Sequence, residues 1–366
     1  MTQKNNATSG VYYGEYLQLE KILDAQTPLS KVKGKPAHDE MLFIVIHQVY
    51  ELWFKQILHE LDSVLDFFQR DYVLEPNIGV AVSRLIRITE IQSVMIDQLR
   101  VLETMAPGDF LDFREALSPA SGFQSAQFRL IENKMGLRKI ERIGFGGKEY
   151  SERLSKSDLA KVLPSEQSRT LFELIELWLE RTPFLEFKGF DFWVLYQSVI
   201  EKNLARDQSV IEANPFLSPE AREKEMKNLK MTRENFEAIF DSEKHLALIQ
   251  NGQRRLSHRA SKAALLILLY KEKPILHLPY RLLTALIEID ERFATWRYRH
   301  FQMVHRMIGT KIGTGGSSGH HYLKTTVDAH RIFSDLFNLS TYLLPSSELP
   351  TLPLEVEREL GFYYTP

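Results

Sequence analysis

Cysteine is absent from this chain of 366 residues. Its absence excludes disulfide bonds, iron–sulfur clusters, thiolate-ligated haem and haem attached covalently through a CxxCH motif. A chain without cysteine is compatible with a reducing cytosol, although its composition does not require one.

Long apolar runs and an excess of one charge are also missing. The longest apolar stretch, residues 263–270 (AALLILLY), is far shorter than the roughly 20 residues that cross a bilayer, and it indicates a buried helix segment. The formal net charge is −2, so no basic field favours nucleic acid. The first residues lack the basic and apolar regions of a secretion signal. We expect a cytoplasmic protein with no membrane partner and no nucleic-acid partner.

Period-two alternation of apolar and polar residues is absent as well, whereas apolar residues recur at helical spacing through most of the chain. The sequence therefore predicts an all-α fold, a bundle of long helices with a small helical insertion. Predicted helices cover residues 15–25, 38–68, 77–105, 109–117, 124–134, 165–181, 190–206, 218–240, 258–271, 279–309 and 320–342. The predicted parts are a flexible tail (1–12), one helical domain (13–204 and 256–345), a charged helical insertion (205–255) and an irregular C-terminal tail (346–366).

His300 is the first candidate for a functional side chain, because it interrupts an apolar helical stripe. Its neighbours on the same helical face are Phe293, Trp296, Met303, Val304 and Met307. Such a strip can pack on a flat apolar macrocycle while the imidazole ligates its iron, although spacing alone favours a core histidine bonded to a backbone carbonyl. His305 is turned about 140° away and has a less apolar face. HxxxH and HExxH pairs are absent, which disfavours a zinc site.

His47 lies in another continuous apolar stretch, residues 41–54 (MLFIVIHQVYELWF), one turn after Phe43. Two interpretations are open at this point. The ring is either a hydrogen-bonded core histidine or a polar group that faces a ligand in an otherwise dry pocket. A buried imidazole tends to stay neutral, so in either case it can donate or accept one hydrogen bond.

Arg114 and a glycine-rich turn are candidates for binding an anion. Arg114 follows Phe110 by one helical turn, and a guanidinium fork matches both oxygens of a carboxylate. A surface ion pair with Asp112 or Glu115 is the alternative. The turn GTGGSSG (313–319) can bind a phosphate, a propionate or a substrate carboxylate through its backbone, or it can be a flexible surface loop. It lacks the lysine of a P-loop and follows a helix, which argues against nucleotide binding.

Taken together, these stretches resemble the tryptophan 2,3-dioxygenase family. The matching segments are YGEYLQLEKIL (13–23), AHDEMLFIVIHQVYELWFKQILHELDSV (37–64), DFREALSPASGFQSAQFRLIENKMG (112–136), WRYRHFQMVHRMIGTKIGTGGSSGHHYL (296–323) and DLFNLSTYLLP (335–345). They occur in order over nearly the whole chain, and stretches of this length are far more specific than a short motif.

The resemblance implies a role for each matching position. His300 falls on the proximal ligand of a b-type haem, and His47 falls on the distal histidine that meets the indole N–H. Arg114 falls on the arginine that binds the substrate carboxylate. Thr314, within the glycine-rich turn, falls on the threonine that contacts the substrate ammonium group. Phe43 falls on the aromatic residue that packs on the indole.

Further positions are implied to contact the cofactor or the substrate. Those on the cofactor side are Ser121, Gly122 and Trp296. Those at the substrate are Phe110 from the same chain, and Tyr13, Tyr16 and Leu17 from a neighbouring subunit. The departures from the family are Ala116 and His320, each at a position where relatives place a tyrosine. Neither is among the implied contacts, so they bear on substrate preference and leave the reaction class unchanged.

The activity implied by the resemblance is the cleavage of the indole C2–C3 bond of L-tryptophan by O2. A ferrous haem b enzyme would release N-formyl-L-kynurenine, the first step of tryptophan catabolism through the kynurenine pathway. A homo-oligomer is also implied, most simply a homotetramer built as a dimer of dimers. The alternatives are a haem-dependent monooxygenase of a substituted indole and a haem or tryptophan sensor without turnover. A pure haem sensor needs no group that binds a zwitterion, so the combination of Arg114, Thr314 and His47 argues against it.

Overall fold

The computed structural model describes residues 10–143, 149–182, 190–309, 311, 323, 325–327 and 329–361. Within these residues the chain forms α-helices and short 3-10 helices, and no β-strand. The predicted all-α fold is therefore confirmed. No helix in this described part is both long and apolar enough to span a bilayer.

The α-helices whose bounds lie within the described residues are numbered here in chain order. They are α1 (Tyr13–Tyr16), α2 (Leu19–Leu23), α3 (Leu29–Val32), α4 (Glu40–Phe68), α5 (Glu75–Leu102), α6 (Pro107–Leu117), α7 (Ala126–Met135), α8 (Lys156–Val162), α9 (Leu171–Glu180), α10 (Phe192–Ala213), α11 (Pro219–Phe240), α12 (Ser242–Gln250), α13 (His258–Leu269), α14 (His277–Ile308), α15 (Ser334–Asn338) and α16 (Leu354–Glu359). The 3-10 helices are Gly122–Gln124, Lys139–Glu141, Tyr150–Arg153, Leu163–Glu166, Pro274–Leu276, Leu339–Tyr342 and Ser346–Glu348.

Three long helices, α4, α5 and α14, form the centre of the molecule. Helix α5 packs against both of the others. Between α4 and α5, the hydroxyl of Tyr50 donates a hydrogen bond to the carbonyl of Met95 at 2.6 Å. Between α5 and α14, the side-chain amide of Gln92 donates to the carbonyl of Ile289 at 3.1 Å. These polar contacts fix how the apolar faces of the three helices align.

Helix α14 forms as predicted because its apolar residues recur every three or four positions. Leu282, Leu286, Ile289 and Phe293 are all buried along this stripe. The helix ends at Gly309, whose φ of 58° lies in the left-handed region that glycine adopts without strain. The helix also forms one wall of a cavity that is described below.

The apolar stretch of residues 41–54 in α4 is only partly buried. Met41, Val45 and Leu52 are exposed, Leu52 over 52% of its surface. The opposite face, with Ile46, packs into the core. One face of this apolar stretch therefore packs into the core, and the opposite face is exposed at the surface of the single chain.

The predicted helix over residues 15–25 is wrong in its continuity. The structure has two short helices there, α1 and α2. Between them Gln18 adopts a φ of 54°, in the left-handed region, which breaks the helical hydrogen-bond ladder. Neither helix buries a residue.

The predicted helix over 320–342 is confirmed at residues 323, 325–327 and 329, and it is wrong in its continuity. Residues 331–333 are not helical, and only the short helices Ser334–Asn338 and Leu339–Tyr342 follow. The cause is Asp290 of α14, whose carboxylate accepts hydrogen bonds from the backbone N–H groups of Ile332 and Phe333 at 3.0 and 3.1 Å. These bonds replace the helical ones and tie the chain to α14.

The charged segment is helical, as its composition predicts, and continuous with the core. Helix α10 runs through residue 205, where the sequence predicted the insertion to begin, and α11 packs against α10. His245 of α12 is fully buried, and its ring nitrogens lie 3.3 Å from the carbonyl oxygen of Ala238 and 2.8 Å from that of Leu256.

In the tail after residue 345, the buried Leu360 accepts a hydrogen bond from the N–H of Ile275 at 3.4 Å.

Candidate functional site

A cavity of about 310 Å³ lies between α4, α5, α6, α7 and α14. Most of its wall is apolar, with residues such as Phe54, Leu99, Met303 and Met307. The predicted site residues that line this cavity are Phe43, His47, Phe110, Arg114, Ser121, Gly122, Trp296 and His300. Segments far apart in the sequence thus converge on one space.

His300 lies on the α14 wall of this cavity. Its neighbours Trp296, Met303, Val304 and Met307 line the cavity too, so most of the apolar strip predicted from the sequence faces it. Within the described residues, no group donates a hydrogen bond to the imidazole of His300 or accepts one from it. Burial, together with the nearby His47, lowers the pKa of His300 to about 4, so the ring is neutral. A neutral imidazole without a protein partner is suited to ligating a metal ion.

His305, the rival on the same helix, occupies a different environment. Its side chain is exposed, and it is not among the described residues that line the cavity. Its ring centroid lies 6.5 Å from that of Phe301, away from the apolar strip. The helical rotation between the two histidines therefore separates them as the sequence predicts.

His47 projects from α4 toward the same cavity. Its Nδ1 lies 2.7 Å from the carbonyl oxygen of Phe43, which can only accept, so Nδ1 carries the proton. Burial lowers the pKa of His47, although the bond to Phe43 and the charge of Glu51 oppose that effect. The ring is therefore neutral, and its remaining nitrogen, Nε2, is a hydrogen-bond acceptor. Because His47 lines the cavity, its ring can be surrounded by protein atoms and still keep accessible surface.

Aromatic rings cover the end of the cavity between α4 and α6. The ring centroid of Phe43 lies 5.8 Å from that of Phe110 and 5.6 Å from that of Phe113, and the last two are 5.4 Å apart. Phe113 is buried beneath the other two, which line the cavity. These rings hold the wall rigid and offer a flat apolar surface to a ligand.

Arg114 lines the cavity one turn after Phe110 on α6. The chain then turns back through Ser121 and Gly122, at the start of a short 3-10 helix. The Ser121 hydroxyl accepts a hydrogen bond from the N–H of Phe123 at 3.4 Å, which anchors this turn beside the cavity. One cation thus lies in a mainly apolar wall, beside the aromatic rings.

The remaining predicted site residues do not meet in this cavity. Tyr13 and Tyr16 of α1 are exposed over 70% and 75% of their surfaces, and Leu17 is also exposed. None of the three lines the cavity as the described residues enclose it. Thr314 lies outside the described residues.

A buried polar cluster at the cavity escaped the sequence analysis. Glu132 and Arg129 of α7, Arg297 of α14 and His330 line one part of the wall. The available signal was a glutamate and an arginine three positions apart on an otherwise apolar helix face. Arg297, however, is 165 positions away from Glu132, so its contact could not be read from the sequence. Among the described residues, including this cluster, no three His, Asp or Glu side chains are grouped as metal ligands.

Comparison with known proteins places the chain in a family. A family model described as tryptophan 2,3-dioxygenase matches residues 1–343. The tryptophan 2,3-dioxygenase of Alteromonas mediterranea is 50% identical over 352 residues, which cover 96% of this chain and 97% of the relative. That of Dictyostelium discoideum is 47% identical, over 98% of this chain and 90% of the relative. That of Mus musculus is 49% identical, over 96% and 87%. The chain belongs to the tryptophan 2,3-dioxygenase family.

Proposed function

We propose that this chain catalyses the cleavage of the indole C2–C3 bond of L-tryptophan by O2, giving N-formyl-L-kynurenine, with haem b as its cofactor. Membership of the family supports the reaction. The observation that carries the proposal is the convergence of His47, Arg114 and His300 on one apolar cavity. These three groups supply an acceptor for an N–H, a cation for a carboxylate and a neutral nitrogen ligand for a metal ion.

The residues of the cavity fit a haem. A haem needs one neutral nitrogen ligand, a flat apolar enclosure and partners for two carboxylates. His300 is neutral and has no hydrogen-bond partner among the described residues, and Trp296, Met303 and Val304 form an apolar strip beside it. Arg129 also lines the cavity, and its buried Nε–H has no acceptor within the described part of the chain. His300 would hold the iron, and the guanidinium of Arg129 would face the carboxylates of the haem.

Arg114 and the aromatic rings would bind the substrate. Tryptophan is a zwitterion, so its burial requires a cation for the carboxylate and acceptors for the ammonium group. Arg114 supplies the cation, while Phe43 and Phe110 provide a surface on which the indole packs. The contact of Thr314 with the ammonium group is part of the proposal and stands on the family resemblance. Binding both ends of the substrate fixes the indole relative to the cofactor, which lowers the entropic part of the barrier.

His47 would orient the indole by accepting its N–H at Nε2. The proton on Nδ1 is committed to the carbonyl of Phe43, so the opposite nitrogen is available as an acceptor. In this arrangement His47 holds the indole proton through one hydrogen bond and need not remove it. The haem, when bound in its ferrous state, supplies the oxygen chemistry; the chain supplies orientation and the exclusion of water.

We further propose that the working form is a homo-oligomer, most simply a tetramer. Tyr13 and Tyr16 of α1, and Leu17 directly after it, are exposed, and a helix of four residues is too short to be stable alone. Docking onto a second subunit would bury them and close the cavity of that subunit. A cytoplasmic location stays a prediction from the sequence.

The test is aerobic incubation of the reduced haem protein with L-tryptophan and ¹⁸O2, followed by mass analysis of the product. The proposal requires both added oxygen atoms to carry the label in N-formylkynurenine. A product with one added oxygen atom would identify a monooxygenase. Stoichiometric binding of haem and tryptophan without turnover would identify a sensor.

A further inference from the structure

Glu132 is a buried carboxylate that contacts three guanidinium groups. Its Oε2 accepts hydrogen bonds from Arg129 at 2.6 Å and from Arg142 at 2.7 Å, and its Oε1 accepts one from Arg297 at 3.1 Å. All four side chains are more than nine-tenths buried. These four residues and His330 are called the Glu132 cluster below.

His330 joins the cluster as a neutral ring. Its Nε2 accepts a hydrogen bond from the backbone N–H of Ile143 at 3.3 Å, so the proton of the neutral imidazole is on Nδ1. Nδ1 lies 3.8 Å from Oε1 of Glu132. Burial lowers the pKa of His330, against the attraction of Glu132. His330 therefore adds no positive charge to the cluster.

Positive charge is in excess within the cluster. Burial alone would raise the pKa of Glu132, but Arg129, Arg142 and Arg297 hold it well below its usual range, so the carboxylate is ionised. One carboxylate thus balances three guanidinium groups. Asp290 also attracts Arg297, while its own oxygens accept hydrogen bonds from backbone N–H groups at 3.0 and 3.1 Å. If the charge of Asp290 is counted as well, the three guanidinium groups still outnumber the two carboxylates.

The excess charge lies at the cavity. Arg129 and Arg297 line the cavity together with Glu132, whereas Arg142 is among the described residues of a neighbouring polar cleft. The Nε–H of Arg129 is buried and has no acceptor within the described part of the chain. A buried donor on a cation is costly unless a ligand or a water molecule accepts from it. Arg129 and Arg297 therefore bring positive charge to the cavity wall that Glu132 balances only in part, which favours an anion on that side.

We propose that Glu132 is a positioning residue that holds Arg129 and Arg297 side by side as a binding site for the two carboxylates of the cofactor. The inference rests on the proposed function, because it takes the cofactor to be a porphyrin with two free carboxylates. Two buried guanidinium groups repel each other and lose hydration, so they remain adjacent only when an ionised group lies between them. Glu132 supplies that group while leaving each cation with donors to spare.

The test compares haem with its dimethyl ester, in which both carboxylates are blocked. The protein is reconstituted with either form, and the rate of porphyrin transfer to excess apomyoglobin is followed by absorbance. The unmodified protein should release haem at least tenfold more slowly than the ester. Glu132→Gln keeps the size of the side chain and removes its charge. In this variant the ester should be released at most about threefold faster than haem.

Two controls separate positioning from general stability. Glu60→Gln removes another buried carboxylate, 3% exposed, which pairs with Arg87 at 2.8 Å and is not among the described cavity residues. That variant should keep the full ratio. Arg142→Gln should keep most of the difference in release rate between haem and its ester, because Arg142 is not among the residues that line the cavity. Arg129→Gln should lose this difference. If Glu132→Gln fails to fold, the Arg129 and Arg142 variants still give opposite predictions.

The outcomes distinguish this inference from the proposed function. Faster release of haem and of ester by the same factor in Glu132→Gln would mean that Glu132 only stabilises the fold. An unchanged ratio in both Glu132→Gln and Arg129→Gln would overturn the inference, while tryptophan cleavage by the same preparations would leave the proposed function intact. Failure of the unmodified protein to bind haem would overturn both.

Discussion

The indole ring of Trp296 lies nearly parallel to the imidazole of His300, one turn later on α14. Their planes differ by 7° and their centroids are 5.7 Å apart. Trp296 in turn contacts Phe54 and Phe128 through its ring, at centroid distances of 6.3 and 5.3 Å. A rigid aromatic neighbour restricts the rotation of the imidazole, so the orientation of the proposed iron ligand is set before any cofactor binds.

The first prediction concerns this ligand. His300→Ala should abolish stoichiometric haem binding, because no other histidine shares its position in the apolar strip. His305→Ala should leave haem binding intact, since His305 is exposed and away from the cavity. The measurement is the haem-to-protein ratio of the purified variants, with far-UV circular dichroism to confirm folding. The reverse pattern would show that the ligand is His305.

The second prediction concerns Arg114. Removing one partner of a buried charge pair costs about 2–5 kcal/mol. At about 1.4 kcal/mol per factor of ten, Arg114→Ala should lower kcat/KM for L-tryptophan at least about 30-fold. Haem content should stay normal, because Arg114 lies on α6 and not on the α14 strip. Tryptamine, which lacks the carboxylate, should be a poor substrate of the unmodified enzyme; equal turnover of tryptamine and tryptophan would contradict the role of Arg114.

The third prediction concerns His47. If Nε2 contributes one hydrogen bond to the indole N–H, His47→Ala should lose about 0.5–1.5 kcal/mol of transition-state stabilisation. The variant should therefore retain measurable activity, and it should accept 1-methyltryptophan better, relative to tryptophan, than the unmodified enzyme does. Steady-state kinetics with both substrates test this. Complete inactivity of a folded, haem-replete variant would instead indicate an obligatory base.

The fourth prediction concerns assembly. A Tyr13→Ala/Tyr16→Ala chain and an Arg114→Ala chain should each be nearly inactive alone. Mixed oligomers of the two should regain activity, because some cavities then combine intact tyrosines from one chain with Arg114 from the other. Co-expression with two affinity tags yields verified mixtures. Absence of recovery in such mixtures would mean that each chain completes its own cavity.

The fifth prediction concerns stability. Gly136, which ends α7, has a φ of 113°, and a Cβ there would lie 2.8 Å from the Cβ of Phe172. Gly252 also has a positive φ, 71°, but its Cβ would meet no atom within 4 Å. Gly252→Ala should cost about 1–2 kcal/mol for its backbone conformation. Gly136→Ala should cost about 1–3 kcal/mol more for the steric overlap. Equal thermal midpoints of the two variants would show that the overlap is relieved.

The sequence predicted the parts of the fold that depend on long, regular patterns. Helices α4 and α14 were predicted within a few residues because their apolar residues recur over seven or more turns. The break at Gln18 was missed because a non-glycine residue in the left-handed region leaves no local signal. Helix α8 was missed because it buries only Val162, so it lacks an apolar stripe.

The site, too, has features that the sequence predicted and features that only the structure revealed. The positions of His47 and His300 were predicted, since each interrupts an apolar helix, and the family resemblance named their roles. The proton on Nδ1 of His47 required the structure, because it depends on the carbonyl oxygen of Phe43 that the ring reaches. The Glu132 cluster could not be predicted from the sequence, because Arg297 contacts Glu132 only when α14 packs beside α7.

The pairing of α5 with α14 also has a consequence for biosynthesis. Gln92 and Ile289 are bonded across 197 positions, so one half of this helix pair is synthesised long before the other. At about 5–20 residues per second, α14 leaves the peptidyl-transfer centre roughly 10–40 s after α5. Until then the face of α5 that packs against α14 has no partner, which exposes apolar surface on the nascent chain. The proposed haem would be held by His300 of α14, so it could be captured only after α14 has been translated.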